Sequence, residues 1–130
     1  MDTGPDPSAR AALTAVVTPA RLRVDGDQPF SLDFDDIYHA PDGTAEVARV
    51  FLAPTDFDAL ARDRAGSAAG LTVGELGFGS GLNFALAAQR CLDAGCALHF
   101  VSFEAAPLAA DAFRAIAARR AAVLPAYREL

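Results

Sequence analysis

Apolar and polar residues alternate along Arg21-Leu22-Arg23-Val24 and again along Phe30-Ser31-Leu32-Asp33-Phe34, with Asp25-Gly26-Asp27 between the two runs. A period of two puts like side chains on one face of a strand, and an Asp-Gly turn reverses the chain. The pattern therefore predicts a β-hairpin. Over residues 46–52 the apolar Val47, Val50, Phe51 and Leu52 satisfy both the strand and the helix period, so this segment stays open between the two. Asp56 stands where an N-cap would precede a short helix over residues 57–64, and Gly66-Ser67 breaks the chain.

From Leu71 the pattern changes. Residues 71–76 form a short apolar run that predicts a buried parallel strand. Gly77, Gly79 and Gly81 follow as a turn, and Leu82 to Leu92 shows helical spacing. Residues 97–104 form a second apolar strand ending in an acid. Pro107 fits the first turn of another helix, running to about residue 122 with Leu108, Phe113, Ile116 and Ala117 on one face and Pro125 ending it. Strand, helix, strand, helix predicts an α/β architecture with parallel strands and right-handed crossovers. The expected organisation is a loose tail over 1–18, a β-hairpin extension over 19–66 and a βαβα unit over 67–130.

Composition changes this picture little. The chain of 130 residues is 52% hydrophobic and 22% charged, enough apolar surface for one core. Net charge is −6 and all eleven basic residues are Arg, with no basic stripe of the kind a nucleic-acid surface shows. Arg114, Arg119 and Arg120 form the densest basic cluster and read as a solvated helix face. Cys91 and Cys96 lack the spacing of a zinc or redox site and read as reduced, buried thiols. No metal cluster and no Ser/His/Asp constellation can be assembled, and His99 reads as structural. With Asp2 and Asp6 near the start, and no apolar run near the ~18 residues of a membrane span, the expected location is cytoplasmic.

The candidate chemistry sits in Glu75-Leu76-Gly77-Phe78-Gly79-Ser80-Gly81-Leu82-Asn83. Glycines between a strand and a helix let a ligand approach the backbone and the open N–H groups of the helix start. The dinucleotide fingerprint is G-x-G-x-x-G. Here the third glycine comes one residue early, giving G-x-G-x-G with Glu75 two residues before it, which resembles the first motif of class I S-adenosylmethionine-dependent methyltransferases. A carboxylate beside the loop suits a cationic sulfonium cofactor and repels a pyrophosphate. Glu104, ending the next strand, is placed to accept ribose hydroxyls. Phe78 and Phe103 read as packing residues, and Asn83 as either a cap or a contact to the methionine end.

A more specific resemblance spans Arg21 to the C-terminus. It shows in Phe34-Asp35-Asp36-Ile37-Tyr38, in Arg49-Val50-Phe51-Leu52, in the block from Gly74 to Phe84, and in Leu98 to Glu104 with Pro107-Leu108 after it. These blocks resemble the methyltransferase domain of the bifunctional tRNA 5-methylaminomethyl-2-thiouridine biosynthesis family and its stand-alone relatives. The resemblance implies a Rossmann-like methyltransferase sheet and methyl transfer from S-adenosyl-L-methionine to the aminomethyl nitrogen of a tRNA wobble uridine. It also implies that an FAD-dependent oxidase domain follows in the bifunctional form. It makes Glu75, Gly77, Gly79, Gly81 and Glu104 cofactor contacts, and Phe78 and Asn83 of the same loop are cofactor-binding candidates beside them. Asp35, Asp36 and Tyr38 become candidates for the cofactor or amine pocket, against the alternative of a turn with a packed Tyr. The family's catalytic acid lies in an Asp-Gly-Phe-x-Pro-like block that this sequence lacks, so no catalytic residue is assigned. The chain is expected to be a truncated piece completed by a second chain or by further sequence. An NAD- or FAD-binding oxidoreductase module and a non-catalytic interaction domain are the competing readings.

Overall fold

The computed structural model describes residues 17–25, 28–121 and 124–129. Most of the expected tail, and Gly26-Asp27 of the expected turn, lie outside these residues. Strands β1 (Leu22–Asp25) and β2 (Gln28–Ser31) pair antiparallel, with Leu22 opposite Ser31 and Val24 opposite Pro29, so the hairpin is present. A third strand, β3 (Asp36–Ile37), adds to β2. The second run was expected to stay extended to Phe34, but it turns after Ser31. Two polar ties explain this. Phe34 N donates to Ser31 Oγ at 3.2 Å, and Asp33 accepts from Arg21 N at 2.9 Å and Arg21 Nε at 2.6 Å. Those bonds hold the Asp33 carboxyl below its usual range.

The open segment is helical. Helix α1 (Gly43–Val47) runs into a π-turn over Ala48–Leu52, then a 3-10 turn over Ala53–Thr55 and α2 (Phe57–Asp63). Thr55 Oγ1 donates to the carbonyls of Phe51 and Leu52, closing the wide turn. Asp56 does occupy the N-cap position of α2, but in the left-handed region (φ 51°) and without a side-chain cap bond. Its backbone carbonyl, not its carboxylate, receives the N–H groups of Ala59 and Leu60.

Beyond Gly70, β4 (Leu71–Leu76) and β5 (Leu98–Phe103) pair in parallel, joined through α3 (Leu82–Ala94). Helix α3 ends on left-handed Gly95, with Cys96 N bonded back to Cys91 O at 2.8 Å. The last helix, α4 (Ala110–Arg120), starts three residues later than expected, because the Pro107 carbonyl accepts the N–H of Ala20 and stays outside it. Pro125 opens a closing 3-10 turn, Pro125–Glu129.

Helix α3 carries both core clusters. One of its faces (Leu82, Ala85, Leu86) joins Val47, Ala117, Leu124 and Tyr127. The other (Ala87, Cys91) joins Phe57, Ala61 and Cys96 above Leu71, Val73, Leu98 and Phe100. Both thiols are free and buried, and burial pushes Cys91 up to about 11. The run at residues 71–76 was expected to be a buried strand. Among the described residues only one face is covered: Thr72, Gly74, Leu76, His99, Val101 and Phe103 make an open face, with Leu76 88% and Phe103 69% exposed. Phe103 is therefore not a packing residue here, whereas Phe78 packs on Phe113 and Phe84.

Arg120 also departs from the solvated face expected of it. Its guanidinium Nη2 lies 2.7 Å from Nε2 of His39, whose Nδ1 lies 3.1 Å from Ala40 O. His39 is only 9% exposed, and Gln28 Nε2 donates to its carbonyl. The arrangement satisfies a neutral imidazole with the proton on Nδ1. Burial depresses the His39 pKa, and the Arg120 charge adds to that. A depressed folded-state pKa means that the stabilisation is complete above the ordinary imidazole value near 6.5. It is lost as pH falls toward the folded-state value, at up to about 1.4 kcal/mol per pH unit for one group. Urea midpoints should therefore drop between pH 7.5 and 5.5, and His39→Gln should flatten that drop. An equal drop in the variant would show that other groups cause it.

Candidate functional site

The glycine turn grows directly out of the β4–β5 pairing. Gly77 N donates to Phe103 O at 2.7 Å, extending the ladder one step past β4. The chain then crosses to α3 with positive φ at Gly77 (85°), Gly79 (54°) and Gly81 (73°). Only glycine adopts such angles at little cost. Space is limiting at Gly81 as well, since an added Cβ would lie 2.9 Å from the Phe78 ring. Helix α3 makes its first backbone bond from Ala85 N to Gly81 O, so the N–H groups of its opening turn have no intrahelical acceptor.

Glu104 closes this turn from the side. Its Oε2 accepts Gly79 N at 3.0 Å and its Oε1 accepts Ala106 N at 2.9 Å. Burial alone would raise its pKa, but the backbone N–H groups of Gly79, Ala106, Phe78 and Ala105 outweigh burial and hold it below the ordinary carboxylate value. Glu104 is thus a fixed anion near neutral pH. Its two bonds of good geometry are those from Gly79 and Ala106. Beside it opens a cavity of about 340 Å³ lined by Phe78, Phe84, Phe100, Ser102, Glu104 and Pro107.

Glu75 is placed differently. Its Oε1 accepts from Asn83 Nδ2 at 2.9 Å and its Oε2 from Ser102 Oγ at 2.8 Å. One carboxylate therefore ties β4, β5 and the start of α3 together. Asn83 makes no side-chain cap bond to α3, and it lines the cavity at the turn. Tyr38 lies against the loop: a Cβ on Gly79 would come within 3.3 Å of its ring. Burial raises the Tyr38 pKa, and the nearby Glu104 charge adds to this. Asp35 and Asp36 sit apart, exposed around the β2–β3 turn, with Asp36 Oδ1 accepting the N–H of Ile37. Ser102, Glu46 and Phe51 were not taken as site residues from the sequence, although all three line cavities at the loop. The signal for Ser102 is its place opposite Glu75 in the strand register, which needs the pairing to be known.

These features define an α/β chain built on a parallel βαβ unit with a Rossmann-like glycine turn. No family model matches it. Individual proteins do. The chain is similar to the tRNA 5-methylaminomethyl-2-thiouridine biosynthesis bifunctional protein MnmC of Caulobacter sp. (strain K31), 39% identical over 123 residues, which is 86% of this chain and 19% of that protein. The MnmC proteins of Pseudomonas savastanoi pv. phaseolicola and Pseudomonas aeruginosa are 41% and 44% identical over 107 and 99 residues, or 73% and 69% of this chain. The chain therefore matches MnmC, and spans 16% and 14% of the length of those two relatives.

The double tie on Glu75 has a measurable consequence. Ser102→Ala and Asn83→Ala should each lower stability by about 1–3 kcal/mol, because each strips a donor from a half-buried carboxylate. Their effects should not add, since both act through one carboxylate. A double-mutant cycle in urea that shows strict additivity would contradict the shared tie.

Proposed function

We propose that this chain is the S-adenosyl-L-methionine-binding part of a class I methyltransferase that acts in tRNA wobble-uridine modification, on the path to 5-methylaminomethyl-2-thiouridine. The observation that carries this reading is the three-glycine turn held by the ionised Glu104 through Gly79 N–H. The residues present fit such a cofactor. The apolar cavity walled by Phe78, Phe84, Phe100 and Pro107 suits an adenine, and the Glu104 carboxylate beside it suits ribose hydroxyls. When bound, the cofactor supplies a methyl group carried on a cationic sulfur. The protein's part in this half of the site is to bind and orient. Glu104 anchors the sugar, the glycine turn lets the ligand reach the backbone, and Glu75 holds the turn in register. Glu75 thereby acts through its neighbours rather than on the ligand.

The relatives are named for tRNA 5-methylaminomethyl-2-thiouridine biosynthesis, and that pathway is carried over to this chain as part of the proposal. The tRNA is met elsewhere than on a basic patch of this chain, and cytoplasmic location follows from that substrate. No helix of the described residues is long and apolar enough to cross a membrane. In this proposal residues 19–66 are an extension and residues 67–130 the βαβα unit of the methyltransferase. The first segment supplies walls to a site built by the second.

Calorimetric titration of the full chain with S-adenosylmethionine and S-adenosylhomocysteine tests the reading, with NAD as the comparison ligand. Binding of both sulfur ligands, weaker or absent binding of NAD, and a loss of about tenfold or more on Glu104→Ala are expected. Tighter binding of NAD, or no binding of either sulfur ligand at millimolar concentration, would overturn it.

A further inference from the structure

The glycine turn is gripped at a second point besides Glu104. Tyr127, in the closing 3-10 turn, reaches it from the core and donates its Oη–H to the carbonyl of Ser80 at 3.1 Å. We propose that Tyr127 is a positioning residue of the cofactor site: by holding the Ser80 carbonyl inward, it keeps the Ser80–Gly81 peptide from turning over and fixes the path of the turn against which the ligand docks. The proposal rests on the cofactor reading above and deepens it.

The glycines create the need for such a hold. Gly79 and Gly81 flank Ser80 with φ of 54° and 73°. Glycine has other backbone regions open to it at similar cost, so sterics alone do not keep the peptide between Ser80 and Gly81 in one orientation. Two hydrogen bonds do. Its N–H, on Gly81, donates to Phe78 O at 2.9 Å, and its carbonyl accepts from Tyr127. The Ser80 side chain gives no help, because its hydroxyl is buried and has no partner among the described residues. Tyr127 is itself well fixed. It is 2% exposed and shares a core cluster with Leu82, Ala85 and Leu86 of α3, and its neighbour Ala126 donates its N–H to Gln89 Oε1 at 3.1 Å. Burial pushes the Tyr127 phenol up to about 12, so it remains a donor near neutral pH. Without that donor the inward carbonyl would be buried and unsatisfied, a cost that rotation of the peptide relieves. Tyr127 lines neither cavity beside the turn, so its effect on a ligand passes through Ser80 and Gly81.

Tyr127→Phe keeps the ring in the core and removes the hydroxyl. Cys91→Ala, in the core cluster on the other face of α3, lowers stability without touching the turn and serves as the control. Urea unfolding reports the overall loss in each variant. Hydrogen exchange on the ligand-free full chain then compares residues 77–83 with strand β5, Leu98–Phe103. Tyr127→Phe is expected to speed exchange at the turn by about tenfold and to leave the strand near wild type. Calorimetry with S-adenosylhomocysteine, at a temperature where every variant is folded, is expected to show binding about fivefold or more weaker in Tyr127→Phe and unchanged in Cys91→Ala. Wild-type exchange at the turn of Tyr127→Phe overturns the proposal. So does faster exchange of turn and strand together, which is the pattern of lost stability alone, and so does unchanged affinity in Tyr127→Phe. Failure of the cofactor reading looks different: S-adenosylhomocysteine then does not bind the wild type, and the exchange comparison alone decides the role of Tyr127. If Tyr127→Phe is unfolded, Tyr38→Phe produced with 3-fluorotyrosine carries the test, since the chain has 2 tyrosines and the label then sits at Tyr127 alone. The more acidic phenol is a stronger donor, so exchange at the turn is expected to be slower than in unlabelled Tyr38→Phe, and equal exchange overturns the proposal.

Discussion

The register of the β4–β5 pair is the constraint on which the site depends. Glu75 stands opposite Ser102 and Leu76 opposite Phe103, and the next step of the ladder is the bond from Gly77 N to Phe103 O. Side chains alternate faces along a strand, so a slip of one residue would turn Glu75 to the open face and carry Ser102 away from it. The carboxylate would then lose both its link to β5 and its link to Asn83 at the start of α3. The glycine turn would leave the sheet from a different atom, and Glu104 would no longer meet Gly79. Strand pairing, helix placement and the position of the second acid are one condition rather than three.

Within that frame the two acids divide the work. Glu75 is satisfied inside the protein by Asn83 and Ser102, and its charge holds three elements together. Glu104 is gripped by the backbone N–H of Gly79 in the turn and by that of Ala106 just past β5. A carboxylate held this way stays ionised near neutral pH and fixed in direction. The same bonds hold the turn in its positive-φ path, a conformation glycine adopts without the steric cost other residues meet.

Much of this was legible in the sequence because local chemistry decides it. The hairpin at β1–β2, the parallel βαβ unit, the glycine turn and the terminal acid Glu104 follow from periodicity and residue type over short spans. What escaped depends on contacts between distant segments. Residues 46–52 satisfy two periods equally, and burial of Val47 against α3 decides for the helix. Ser102 is an ordinary strand residue until the register sets it beside Glu75. Asp35 and Asp36 were candidate site acids through the resemblance of the block at residues 34–38. An antiparallel turn separates neighbours, however, and only Tyr38 reaches the loop. Arg120 read as solvated because α4 alone does not reveal that His39 lies against its last turn.

That contact also explains how a two-stranded parallel sheet comes to have a walled site. Helix α3 packs on one face of β4 and β5 and presents its other side to α1, α4 and the closing turn, where Tyr127 Oη donates to the carbonyl of Ser80 at 3.1 Å. The segment from Tyr38 to Phe51 is pinned from both ends of this layer: His39 against Arg120 of α4, and Val47 in the core with Leu82 and Leu86. Pinned there, it has little freedom to move away from the glycine turn. The aromatic rings and carboxylate it contributes are therefore held beside the loop by the same packing that buries α3. A change in His39 or Val47, neither of which needs to touch a ligand, would be felt at the loop through Tyr38 and Glu46.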